Sequence, residues 1–65
     1  MYIVQLRKGV WLTKWKDTPK ETTEINKAQQ FKYKNWARHG LKMARKYKSY
    51  PKAKVKFYEK NKNHG

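Results

Sequence analysis

The sequence predicts an α+β domain in which a three-stranded antiparallel sheet, made of an N-terminal hairpin and a C-terminal strand, is packed by one helix in the order β-β-(short element)-α-β. Three observations predict it. Apolar and polar residues alternate from Tyr2 to Trp15 around Gly9, the period lengthens to that of a helix from Lys34 to Lys48, and the alternation returns from Lys52 to Tyr58. One helix across one sheet is the simplest layer arrangement that hides all three apolar stripes.

Within the first stretch Tyr2, Val4 and Leu6 alternate with Ile3, Gln5 and Arg7, the pattern of a half-buried strand. Lys8-Gly9 supplies a tight turn, and Val10 to Trp15 resumes the pattern with β-branched and aromatic residues, completing a hairpin. Residues 16–24 are polar and hold Asp17, Glu21 and Glu24; Pro19 removes a ladder donor, so the stretch is expected to be loop. Ile25 to Phe31 is open between two forms: a single helical turn through Ala28 to Gln30 capped by Asn26, or a short third strand. On the helix, Tyr33, Trp36, Ala37, Gly40, Leu41, Ala44 and Tyr47 form one stripe that should face the sheet. Gly40 costs ~1 kcal/mol relative to Ala inside a helix, which suggests close backbone approach to the hairpin. Ser49-Tyr50-Pro51 ends the helix, because the residue before a proline is biased out of the α region. The last strand sets Ala53, Val55 and Phe57 on an apolar face against Lys52, Lys54, Lys56 and Tyr58.

A chain of 65 residues supports one domain, expected over 1–60 with a frayed basic tail at 61–65. It has no Cys, so no disulfide supplements the core, and ten aromatic residues must supply much of the packing. Arg7 and Lys8 interrupt the N-terminal apolar run far short of the ~20 residues of a bilayer span, which sets the expectation of a soluble, cytoplasmic protein with no membrane partner. A cationic membrane-active peptide is disfavoured by the strands on either side of the helix.

Catalysis needs titratable groups that converge. Of the four carboxylates, three lie in the 16–24 stretch and Glu59 near the tail, so no acid-base pair suggests itself and no catalytic residue is expected. His39 and His64 have neither Cys nor acids at ligand spacing, and the three glycines are isolated, so the sequence points to neither a metal nor a nucleotide cofactor.

The charge is the strongest functional signal. Eighteen Lys and Arg against four Asp and Glu give +14, whereas solubility of a small domain needs only about 2 to 8. Between Ile25 and Tyr58 there are eleven cations and no acid. Lys34, Arg38, Lys42 and Arg45 recur along one helix stripe with Lys46 and Lys48 beside them, and Lys52, Lys54 and Lys56 project from one face of the last strand. Like charges at these spacings repel unless a polyanion neutralises them. Fifteen of the eighteen are Lys, which meets phosphate as a point charge, so DNA or RNA bound through its backbone, with little sequence preference, is the expected partner. Only Arg7, Arg38 and Arg45 have the fork that reads guanine bidentately.

Trp11 and Trp15 share one hairpin face with Thr13, opposite Val10 and Leu12, and either set can form the core. Trp11, Trp15, Tyr50 and Tyr58 are the candidates for base stacking or for an interface, including that of a homodimer; Phe31, Trp36, Tyr47 and Phe57 read as core.

Tyr2-Ile3-Val4, the Gly9 turn, Trp11-Leu12-Thr13, the polar loop and Lys27-Ala28-Gln29-Gln30-Phe31 leading into a helix and a final strand together resemble small proteins encoded by phages and mobile elements of Gram-positive bacteria. The resemblance implies a compact ββαβ fold, the cytoplasm of a bacterial host, and a role in phage–host conflict, such as an anti-CRISPR-like inhibitor of an acidic or nucleic-acid-bearing host complex. It implies no catalytic residues.

Overall fold

The computed structural model describes residues 1–59. The chain runs β1 (Tyr2–Arg7), β2 (Val10–Thr13), β3 (Lys20–Thr22), a 3-10 turn (Ile25–Lys27), α1 (Lys34–Arg45) and β4 (Lys54–Phe57). One antiparallel sheet holds the strands in the order β3-β2-β1-β4, with α1 packed over β1 and β4. The α+β class is as the sequence predicts; the sheet has four strands where three are expected. The expected frayed tail lies outside the described residues.

The hairpin turns at Gly9, whose φ of 74° is the left-handed conformation that glycine adopts without steric cost. Gln5 pairs with Trp11 but Arg7 with Val10, so a bulge intervenes and turns Arg7 to the same side as Val10. β4 extends the other edge in register, Val4 opposite Val55 and Tyr2 opposite Phe57.

The extra strand, β3, begins directly after Pro19, which therefore removes no ladder donor. Its three residues, Lys20-Glu21-Thr22, pair with Thr13, Leu12 and Trp11. Leu12 is fully buried on the α1 side, so Glu21 opposite it points the same way. There it receives a forked pair of hydrogen bonds from Arg7 at 3.3 and 3.5 Å and one from the Tyr50 hydroxyl at 3.3 Å, with Lys48 Nζ 3.8 Å away. A short edge strand with an inward carboxylate lacks the apolar alternation by which strands are read, and it also protects the edge.

Neither form foreseen for residues 25–31 occurs as expected, since Ala28 to Gln30 is neither helical nor part of a strand. A 3-10 turn spans Ile25–Lys27 and is entered through Glu24, so Asn26 lies inside it and does not cap it. Phe31 forms a two-way bridge with Tyr2 at 2.7 and 2.8 Å, and the Gln29 N–H reaches the Leu12 carbonyl at 3.0 Å. The connector thus bonds to both β1 and β2 beyond the point where their own ladder stops.

Val4, Leu6, Val10, Leu12, Ala37, Ala44 and Tyr50 form the core, with Tyr2, Trp15, Phe31, Leu41, Ala53 and Val55 against it. This selects Val10 and Leu12 as the inner hairpin set. Only the middle of the expected helix stripe is buried: Ala37 and Ala44 fully, Gly40 and Leu41 in part. Tyr33, Trp36 and Tyr47 are 50%, 57% and 54% exposed, and Phe57 on β4 is 63% exposed, so these four are not core residues. Ala37 and Ala44 let α1 approach the sheet closely, and Trp36, about 100° around the axis from Ala37, then falls outside the contact. Gly40 does make a close approach, to Phe31 and not to the hairpin: a β-carbon there would lie 2.9 Å from Phe31 Cζ. The α-helix stops at Arg45, and its last turn tightens through Lys46, Tyr47 and Lys48 before Ser49 is reached.

Candidate nucleic-acid interface

The structure divides the cations singled out in the sequence between two sides of the molecule. Lys34, Arg38, Lys42 and Arg45 line a shallow groove of about 470 Å³ between α1 and β4, floored by Leu41 and Val55. Helical spacing produces this, because positions i, i+4, i+8 and i+11 return to within about 80° of one another. Val55 faces inward opposite Val4, so its neighbours Lys54 and Lys56 emerge on the sheet face that α1 does not cover. Lys52 precedes β4 and is exposed, and Lys46 is exposed beyond the end of α1. The last-strand lysines are therefore not continuous with the groove.

Two of the nine candidate cations are committed to contacts within the fold. Arg45 donates from Nε and Nη2 to the Tyr50 carbonyl at 3.3 and 3.1 Å, which clamps the turn after α1 while its guanidinium still borders the groove. Lys48 approaches Glu21. Lys34, Arg38 and Lys42 form no ion pair among the described residues, and all three are exposed. A row of ammonium and guanidinium groups over an apolar floor favours a chain of anions spaced along it. From Lys34 to Arg45 the groove follows ~16 Å of helix axis, the rise of about five nucleotides of one strand at ~3.4 Å each.

The four aromatic candidates do not share one site. Tyr50 is 5% exposed and belongs to the core, which corrects its place among stacking or interface residues: its ring fills the space between β1 and the end of α1, and its hydroxyl is held by Glu21. Burial, and next the Glu21 carboxylate, push the Tyr50 phenol above its ordinary pKa. Trp15 is half-buried against the core and meets Tyr47 edge-to-face at 5.3 Å, so it braces the end of the hairpin. Trp11 is half-buried on the face away from α1, between Gln5 and Thr22 in register. Tyr58 is half-buried, with its backbone N–H on the Met1 carbonyl at 2.7 Å.

The exposed rings are ones that the sequence places in the core. Phe57 meets Tyr2 edge-to-face at 5.3 Å, and Tyr33 meets Trp36 likewise at 4.7 Å, with Lys32 Nζ 5.7 Å from the centre of the Tyr33 ring. Their exposure follows from where α1 begins, which single-residue periodicity does not report.

Among the described residues no three His, Asp or Glu side chains are grouped to hold a metal ion, and no helix is long and apolar enough to cross a membrane. No protein-family profile, curated protein or solved structure matches this chain.

Proposed function

We propose that this is a non-catalytic binding protein for nucleic acid, which holds the phosphate backbone in the groove between α1 and β4. The observation that carries the reading is that Lys34, Arg38, Lys42 and Arg45 line one groove in a stretch of 34 residues, Ile25 to Tyr58, without an acid. Mutual repulsion among these cations disfavours the empty groove, and a bound polyanion relieves it. Lysine predominates, so the contacts are to phosphates and carry little base information. Lys54 and Lys56, on the other face of the sheet, add to the attracting field without touching the same stretch of backbone.

Fluorescence anisotropy of a labelled oligonucleotide, repeated across a salt series, tests this. Affinity should fall by orders of magnitude between about 50 and 200 mM salt. Reversing two groove charges, Arg38→Glu with Lys42→Glu, should reduce the slope of log affinity against log salt by about 2, whereas Lys14→Glu with Lys16→Glu on the β2–β3 loop should leave it nearly unchanged. A slope untouched by the groove substitutions would sink the proposal.

A second reading is supported by the resemblance to small phage and mobile-element proteins, and by rings more than half exposed on α1 and β4. In it the chain acts in the cytoplasm of a bacterial host as an inhibitor or adaptor docked on an acidic or nucleic-acid-bearing complex. Capture of such a complex that survives nuclease treatment, and is lost in the groove variant, would favour this reading over the first.

A further inference from the structure

Phe57 and Val55 lie on the same face of β4, and Val55 floors the groove. The end of the groove at which Phe57 sits is set by the pairing of Tyr2. Tyr2 is bonded to Phe31 on one side and paired with Phe57 on the other, and α1 starts three residues after Phe31. Phe31, Tyr2 and Phe57 therefore succeed one another across the sheet at ~4.8 Å strand spacings, and Lys34, the first cation of the groove, lies at the same end. Arg45 and the Tyr50 carbonyl mark the other end. The cationic groove thus opens at its Lys34 end toward the exposed ring of Phe57, while Tyr33 packs on Trp36, which lines the opposite flank of α1 with Phe31 and Gly40.

These rings are not surplus core. Phe57 is 63% exposed and Tyr33 50%, whereas the largest fully buried side chains among the described residues are all aliphatic. Each is held by an edge-to-face partner, Tyr2 and Trp36, which orders the ring and leaves much of its surface in water. Cations stand near them, Lys32 beside Tyr33 and Lys34 at the groove, while Lys56, next to Phe57 in sequence, projects from the opposite face of the sheet. The nearest acid in the sequence, Glu59, is exposed. A phosphate-tracking groove that ends on an ordered, exposed π-face matches a polyanion whose own π-faces are accessible. In a duplex the bases are stacked inside and only the terminal pair offers a face; in a single strand every base does.

We propose that the ligand of the groove is single-stranded nucleic acid, and that Phe57 stacks a base of the segment leaving the groove past Lys34. The proposal rests on the nucleic-acid reading and names the strand state it requires.

The test compares a labelled single strand of about 12 nucleotides, as DNA and as RNA, with a duplex of equal length at one low salt concentration. The single strands should bind at least tenfold more tightly than the duplex. Phe57→Leu should weaken single-strand binding about tenfold, the effect of removing one stacked base, with the salt slope unchanged; Phe57→Tyr should retain it. Because Phe57 is largely exposed these variants should fold, and circular dichroism checks that they do. Equal binding of duplex and single strand, with ring variants silent and the groove variant still lowering the slope, would overturn this inference and leave the phosphate reading in place. No binding of any oligonucleotide would overturn both, and rings that serve only a protein partner would appear as Phe57→Leu losing that partner while oligonucleotide binding is unchanged.

Discussion

The Tyr50 ring fills the core beside Leu6 and Val10 while its hydroxyl donates to Glu21 Oε2 at 3.3 Å, a carboxylate that also holds Arg7. Arg7 is more than half exposed, so its ion pair with Glu21 contributes little, and the bond from the buried phenol matters more. Burial and the nearby carboxylate both favour the neutral phenol, which is why its pKa is raised. The contribution to stability is therefore complete below the unfolded value of about 10 and disappears as pH rises through the higher folded value. Tyr50→Phe should cost about 1 kcal/mol near neutral pH, and in urea denaturation the wild type should lose that advantage as pH increases beyond about 10. Lysine titration in the same range affects both proteins alike, so the difference isolates Tyr50; stability curves that stay parallel would contradict the assignment.

At the scale of elements, α1 shows how a small sheet limits what a helix buries. Its 12 residues contain no Asp or Glu, and Tyr33 at its N-terminus makes no side-chain cap, so its own sequence stabilises it weakly. Tertiary packing holds it, through Ala37, Leu41 and Ala44 and through Phe31 against Gly40. Gly40→Ala raises helix propensity by ~1 kcal/mol, yet the added methyl would stand 2.9 Å from Phe31 Cζ and force that ring out of its place beside the core. The expected net result is a loss of about 1 kcal/mol in chemical denaturation, reversed to a gain when Phe31→Leu is the background in which Gly40→Ala is made. A gain in the parent protein would show that the ring moves at no cost.

For the whole molecule, +14 on 65 residues means that the folded state concentrates like charge. Three ion pairs among the described residues, all with exposed cations, offset little of it. Added salt screens the repulsion over a Debye length of about 10 Å at 0.1 M, so the melting temperature should rise as sodium chloride goes from about 10 to 300 mM, opposite to the expected trend in nucleic-acid affinity. An oligonucleotide at low salt should raise it further through binding to the native state. A melting temperature indifferent to salt would mean that the cations stand too far apart to interact.

The sequence by itself determined the α+β class, the hairpin at Gly9, the helix beginning at Lys34, the final strand and the row of Lys34, Arg38, Lys42 and Arg45, because periodicity and charge spacing are local properties. It also left open which face of the hairpin turns inward. Only the tertiary structure decided that Val10 and Leu12 do, that Lys20-Glu21-Thr22 is a strand, that Tyr50 is buried and that Phe57, Trp36 and Tyr33 are not. Each of these depends on what lies across from a residue. Glu21 counts as a strand residue because Leu12 pairs with it and Arg7 and Tyr50 meet its carboxylate, and Phe57 stays in water because it sits at the end of the sheet where α1 begins. Alternation along β4 reports which side Phe57 occupies, and only the position of the helix determines whether anything covers it.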